Sequence, residues 1–276
     1  ASLVYTFFCK NSVFANNNKD MKMKKTLLGA AIALLSTSVV YAQDYQFEVG
    51  AAYLSGDSFG VDYDGFGLNA QLHLDAVNTA KGPLNEAAFL DKSSFANVSW
   101  ATVKADVSGA DSAESTAIGG RFVMGNNIII EANYADLEND SVFSVGAGTY
   151  ISKNMDVVAS YQSFDEADQS VLSVDLHGVN PLKGETALAF DLGLAYVDVG
   201  DETGHNISAG ADYYINNALS IGAGITLANA GDTDVSVIDV RADYFVTPVA
   251  RVGLGFSTQG QDGDGDAIQL NAAMRF

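Results

Sequence analysis

The chain has 276 residues, with 34 Asp and Glu against 14 Lys and Arg, a formal charge of −20 and a single cysteine. So acidic a protein is repelled by nucleic acid and by anionic headgroups. One cysteine, Cys9, permits neither an intrachain disulfide nor a cysteine-based metal centre.

From Met21 the sequence runs "MKMKK", then "TLLGAAIALLSTSVV", then "YAQ". A basic start, an apolar middle and small residues at Val40 and Ala42 predict a secretory signal peptide over 21–42, cut after Ala42. A membrane anchor needs about 20 apolar residues, and Ser36, Thr37 and Ser38 break this run. Residues 1–20 fit no part of a signal peptide and read as an upstream extension. Five of the 14 basic and one of the 34 acidic residues precede Gln43, so residues 43–276 form a cysteine-free domain with a charge of −24.

Beyond Gln43 the pattern is short alternating runs separated by Gly, Asn, Asp and Ser, the signature of strands. About fourteen runs are predicted, over 44–54, 61–75, 96–107, 114–124, 127–136, 141–151, 154–163, 169–178, 185–198, 205–215, 218–228, 233–246, 249–258 and 267–276. Most approach the ~9–11 residues with which a tilted strand crosses a bilayer. The connections alternate between tight turns ("MGNN", "SKNM", "INNA", "VTPV") and longer carboxylate-rich loops such as "SGDSFGVDYDG" and "TQGQDGDGD". Two connections at the tight-turn end are exceptions, "AVNTAKGPLNEAAFLDKSS" within 76–94 and "HGVNPLKGET". Sorted loops and an even strand count predict an all-β fold, an antiparallel transmembrane β-barrel of 12–16 strands with short periplasmic turns and longer acidic outer loops.

Each run has an apolar face and a small or charged face. In "TALAFDLGLAYV", Leu188, Phe190, Leu192, Leu194 and Tyr196 oppose Ala189, Asp191, Gly193 and Ala195. Tyr53, Tyr134, Tyr161 and Tyr196 lie on apolar faces near the long loops, and Tyr213, Tyr244 and Phe276 near the short turns. Two such levels of rings are what two membrane interfaces select. The polar faces predict a lumen lined by Glu48, Gln71, His73, Asp75, Arg121, Glu131, Asp175, Asp191, Asp212, Asp239, Arg241, Asp243, Arg251, Asn271 and Arg275. Such a wall requires either a water-filled passage or a network of ion pairs. Arg241, Arg251 and Arg275, on three successive strands opposite Asp239 and Asp243, suggest a short cation ladder; ordinary cross-strand pairing is the competing expectation.

The stretch "GPLNEAAFLDKSSFANVSW", Gly82 to Trp100, resembles the general bacterial porin family of Gram-negative outer membranes, and the likeness is sharp only there. The resemblance implies an outer-membrane barrel through which ions or small hydrophilic solutes diffuse. A closed structural or surface-interaction barrel is the alternative. The segment itself reads as a plug or a periplasmic turn.

The remaining chemistry is sparse. His73, His177 and His205 fall on different strands at different levels, so no nucleophile and base are expected together and the chain is not read as an enzyme. "DGDGD" lacks the twelfth-position Glu of a calcium loop, and no metal or cofactor is expected. The expected partners are outer-membrane lipid and lipopolysaccharide, small solutes, and the barrel-assembly machinery, which the final strand ending in Phe276 would engage. The acidic outer loops predict a modest cation preference.

Overall fold

Alternation of period two lets a strand offer one face to lipid and the other to water, provided every backbone group finds a partner on a neighbouring strand. A computed structural model describes residues 44–276 apart from 110, 139, 167, 168, 201, 231, 232, 262 and 263. The expected signal peptide, residues 1–20, and Asp262 and Gly263 of the "DGDGD" loop lie outside the described residues.

The strands are β1 (Tyr45–Ser58), β2 (Val61–Val77), β3 (Phe95–Ala105), β4 (Ala113–Val123), β5 (Ile128–Leu137), β6 (Asp140–Ser152) and β7 (Met155–Phe164). They continue as β8 (Gln169–Pro181), β9 (Ala187–Val199), β10 (Glu202–Asn216), β11 (Leu219–Ala230), β12 (Thr233–Thr247), β13 (Ala250–Gln261) and β14 (Gly265–Arg275). They form a closed antiparallel barrel in which each strand pairs with its chain neighbours and β14 returns to β1. The seam is completed at Phe276. The Phe276 carbonyl accepts from the amides of Gln46 (2.7 Å) and Phe47 (3.1 Å), while the Phe276 amide donates to the Phe47 carbonyl (2.8 Å).

The outward faces carry Leu192, Leu194, Ile225, Ile238, Val240, Leu254 and Ile268, all exposed, as a lipid-facing band requires. The acidic outer segments are shorter as loops than the sequence suggests. In "SGDSFGVDYDG" the ladder runs on to Ser58 opposite Val61, leaving only Phe59 and Gly60 as a turn, with φ of 52° and 74°. β5 and β6 likewise pair as far as Leu137 opposite Asp140. Carboxylates and serines alternating with Val, Tyr and Phe suit a strand that continues into water, so these residues extend the wall above the bilayer.

At the other end, four of the strands carry a register shift next to an inward aromatic ring: after Tyr45, Tyr150, Tyr214 and Phe245. All four rings are buried. Bulges at a barrel rim re-aim side chains, and here they close the ladder beneath a collar of rings. Of the two exceptional connections, "HGVNPLKGET" proves short: β8 runs to Pro181 and β9 starts at Ala187, with Gly184 at φ 73° in the turn.

The other connection, 78–94, folds inward. It contains two single 3₁₀ turns, Thr79–Lys81 and Leu84–Glu86, and one helical turn, α1 (Ala87–Leu90). Asn78 caps the first turn by accepting from the Ala80 amide (2.8 Å), and Asp91 fastens the two ends of the segment together, accepting from the Asn78 amide (2.8 Å) and pairing with Lys81. Ala87 packs on Tyr45 and Val77 at its own side of the barrel. Phe89 and Leu90 pack on Val179, Ala187, Ala189 and Tyr214 of β8, β9 and β10, across the mouth. The segment therefore spans the barrel at the end where Tyr45 and Phe276 lie.

Candidate functional site

The lumen is built around arginines, each held by carboxylates from nearby strands. Arg241 on β12 donates through Nε and Nη2 to both oxygens of Asp212 on β10 (2.9 and 2.6 Å), and through Nη1 to Asp239 (2.8 Å). Across the barrel, Arg121 on β4 bonds Glu131 on β5 (3.0 Å) and Asp156 on β7. Each arginine is thus outnumbered by its carboxylates. Asp175 accepts from Ser173 (2.9 Å) and Asp191 meets His177, and among the described residues neither is paired with an arginine, so the wall from β5 to β12 carries excess negative charge. A recess of about 270 Å³ opens there, bordered by Arg121, Glu131, Asp156, Asp175, His177 and Asp191. At ~30 Å³ per molecule it has room for roughly nine waters.

Beneath this wall lies the seat of segment 78–94. Glu86, 8 % exposed, accepts from the Tyr214 hydroxyl at Oε1 (2.7 Å), and its Oε2 faces His177 Nε2 (3.0 Å). His177 Nδ1 meets Asp191 Oδ1 at 2.6 Å, and the Phe89 ring stands edge-on to the imidazole at 4.3 Å. The Tyr150 hydroxyl donates to the Phe89 carbonyl (3.0 Å), and the Lys92 ammonium lies over the Tyr150 ring. On the opposite side Arg275 donates to the Leu84 carbonyl (2.9 Å) and to Glu48 (2.5 Å), with its guanidinium between the Tyr45 and Phe245 rings. Arg251 donates to Asn85 Oδ1 (2.6 Å). Side chains from five strands, β6, β8, β10, β13 and β14, thus hold one inserted segment across the mouth of the barrel.

Of the residues predicted to line the lumen, Glu48, Arg121, Glu131, Asp175, Asp191, Asp212, Asp239, Arg241, Asp243, Arg251 and Arg275 take part in the polar contacts of these walls. Asn271 lies over Gly253 beside Asp243, and Asp75 is exposed near the rim. The expected ladder is not built: Arg241 stands opposite Gly255, whereas Arg251 stands opposite Phe245, four residues nearer the turn, and Arg275 pairs with β1. Gln71 and His73 form a local structural knot. The Gln71 amide donates to His73 Nε2 (3.0 Å), so Nδ1 carries the proton and donates to Ser93 Oγ (2.7 Å), and that serine is not activated by a base. His205 faces outward near the outer end. Tyr134, Tyr161, Tyr196, Tyr213, Tyr244 and Phe276 are exposed on the outer surface. Tyr53 is half-buried because its hydroxyl donates to Asp64 (2.6 Å).

Sequence reasoning missed Asp156, Tyr150 and Tyr214; Tyr214 shares its strand face with Asp212, which was among the predicted lumen residues, and Asp156 alternates with the outward Tyr161 of β7. It had no means of finding Glu86 or Phe89, because an aperiodic segment carries no face signal.

The family model described as "Putative general bacterial porin" matches residues 21–173 and 157–276. The chain belongs to this family. In this porin-family barrel the fold is similar to that of the Acinetobacter baumannii outer membrane protein Omp33, with a TM-score of 0.68 and 24 % identity over 86 % of this chain and 100 % of that one. It is also similar to a bacterial polysaccharide outer membrane secretin, with a TM-score of 0.52 and 10 % identity over 85 % of this chain and 99 % of that one. No curated protein sequence matches the chain. The family and the closed fourteen-stranded barrel together identify an outer-membrane porin architecture.

Proposed function

We propose that this porin lets ions and small hydrophilic solutes diffuse passively across the outer membrane, with a weak preference for cations and no catalytic step. The observation that carries the preference is the excess of carboxylate on the lumen wall: Arg121 and Arg241 each share two carboxylates, and Asp175 and Asp191 stand beside them without an arginine. A wall of one sign raises the local concentration of counter-ions and repels anions. Export by the signal peptide over 21–42 and recognition of the Phe276-terminated strand by the barrel-assembly machinery belong to the same reading, with lipid and lipopolysaccharide around the apolar band.

The test is single-channel conductance of residues 43–276 in a planar bilayer under a salt gradient, with Arg241→Ala beside the wild type. A steady current with a cation-favouring reversal potential supports the reading. Arg241→Ala, which leaves Asp212 and Asp239 unneutralised, should deepen the preference. A second reading, a closed structural or surface-interaction barrel, is favoured by the seat of 78–94 across the mouth. A folded barrel silent both as wild type and with that segment loosened by Glu86→Ala would establish it.

A further inference from the structure

Most buried side-chain polar atoms in a folded protein find a partner, and those that do not call for an explanation. Among the described residues the buried side-chain atoms without a hydrogen bond are Asp243 Oδ1, Arg251 Nε, Asn271 Oδ1 and Thr247 Oγ1, all on β12, β13 and β14 near the seat of segment 78–94. Asp243 and Asn271 flank Gly253 in one row of the ladder, and both side chains lean over that glycine. Arg251 explains the grouping. Its Nη1 is committed to Asn85 Oδ1 of the inserted segment at 2.6 Å, yet lies 3.6 Å from Asp243 Oδ1, too far for a hydrogen bond but close enough for ion pairing.

We propose that Arg251 is a positioning residue with two alternative partners: it holds segment 78–94 across the barrel through Asn85, and stabilises the withdrawn segment by passing its guanidinium to Asp243. The move needed is short, about the difference between a contact and a hydrogen bond. It converts an arginine bonded to a neutral amide into one bonded to a carboxylate, the stronger and often bidentate pairing. Two of the unpartnered atoms, Asp243 Oδ1 and Arg251 Nε, become partners of one another's groups in the withdrawn arrangement. What the segment loses in leaving Asn85 is offset on the wall, so withdrawal costs only the remaining contacts of Leu84, Glu86 and Phe89. This deepens the porin reading, on which its transport consequence rests.

The experiment follows the segment directly. Residues 43–276 contain no cysteine, and Ala87 is 1 % exposed against Tyr45 and Val77, so Ala87→Cys in nanodiscs reports withdrawal through its rate of reaction with a membrane-impermeant maleimide. Added to it, Asn85→Ala removes the partner used when the segment is seated and should raise the labelling rate about tenfold or more, the worth of one charge-assisted hydrogen bond. Asp243→Asn weakens the partner used when the segment is withdrawn and should lower the rate. In an Arg251→Met background both effects should vanish, and folding of each variant is checked by heat-dependent gel mobility. A purely structural Asp243, including one satisfied by water alone, predicts that Asp243→Asn raises the rate or leaves it unchanged; either result overturns the proposal. Conductance recorded in parallel separates the two readings. Labelling that shifts in opposite directions without current in any variant defeats the porin reading alone, whereas a conducting wild type whose labelling ignores Asp243 defeats the two-partner role alone.

Discussion

Asp212 lies flat against the barrel wall because its neighbour is Gly222, where a Cβ would strike the carboxylate and the Ala211 carbonyl. The same juxtaposition recurs at Asp239 over Gly224, Asn133 over Gly119, and Asp175 with Ser208 over Gly193. The lumen glycines therefore make room for folded-down polar groups, which the sequence showed only as a high glycine content. Gly222→Val should lift Asp212 off Arg241 and cost about 1–3 kcal/mol in equilibrium unfolding, by overpacking. Gly255→Ala, whose nearest foreign atoms stand at 3.7 and 3.9 Å, should be nearly neutral in the same measurement. Glu86 gives a second contrast. Glu86→Ala strands the Tyr214 hydroxyl and the His177 ring, and trypsin cleavage after Lys81 and Lys92 should rise about tenfold or more, since cleavage follows the population of the unseated segment. A cleavage rate equal to that of the wild type would show that the segment is held without Glu86. The charged wall could be read from alternation at Asp239, Arg241 and Asp243, while Glu86 could not, because the partners of a loop residue are set by where the loop goes.

Elements were legible to the extent that they repeat. The fourteen strands emerge from period two alone, and their ends move where polar stretches proved to be strand, as at Ser58 of β1 at the outer end and Pro181 of β8 at the other. Composition misleads there, since Asp, Gly and Ser favour turns in general but also populate a ladder that stands in water. The bulges after Tyr45, Tyr150, Tyr214 and Phe245 have no signature in alternation, so the aromatic collar is a product of the assembled rim. The outward faces lead to a depth-dependent prediction. On β9, Leu194→Arg should destabilise the barrel in lipid vesicles by ~2–4 kcal/mol, and Tyr196→Arg, nearer the outer interface, by ~0–1 kcal/mol. Equal costs at the two positions would mean that the band is not centred where the exposed Leu192, Leu194 and Ile238 put it.

At the scale of the whole molecule, charge is sorted along the barrel axis. Asp57, Asp62, Asp106, Glu114, Asp136, Asp165 and Asp198 ring the outer end with Lys104 among them, whereas Lys81, Lys92, Lys153 and Lys183 lie beside Asp75, Asp91 and Glu185 at the end that holds the inserted segment. Fields from exposed groups fade over a Debye length, ~8 Å at physiological salt and ~3 Å at 1 M. The share of the reversal potential that these exposed groups supply should therefore shrink as both salt concentrations rise at a fixed ratio, and the preference that remains at ~1 M measures the lumen wall of Arg121, Arg241 and their carboxylates. The closure of the barrel has its own consequence. Because β14 joins β1 and the Phe276 backbone is bonded to Gln46 and Phe47, the first strand must wait for Phe276. Until β14 is in place the ring is an open sheet with two bare edges, so removal of Phe276 loses three backbone bonds at the clasp that turns a sheet into a vessel.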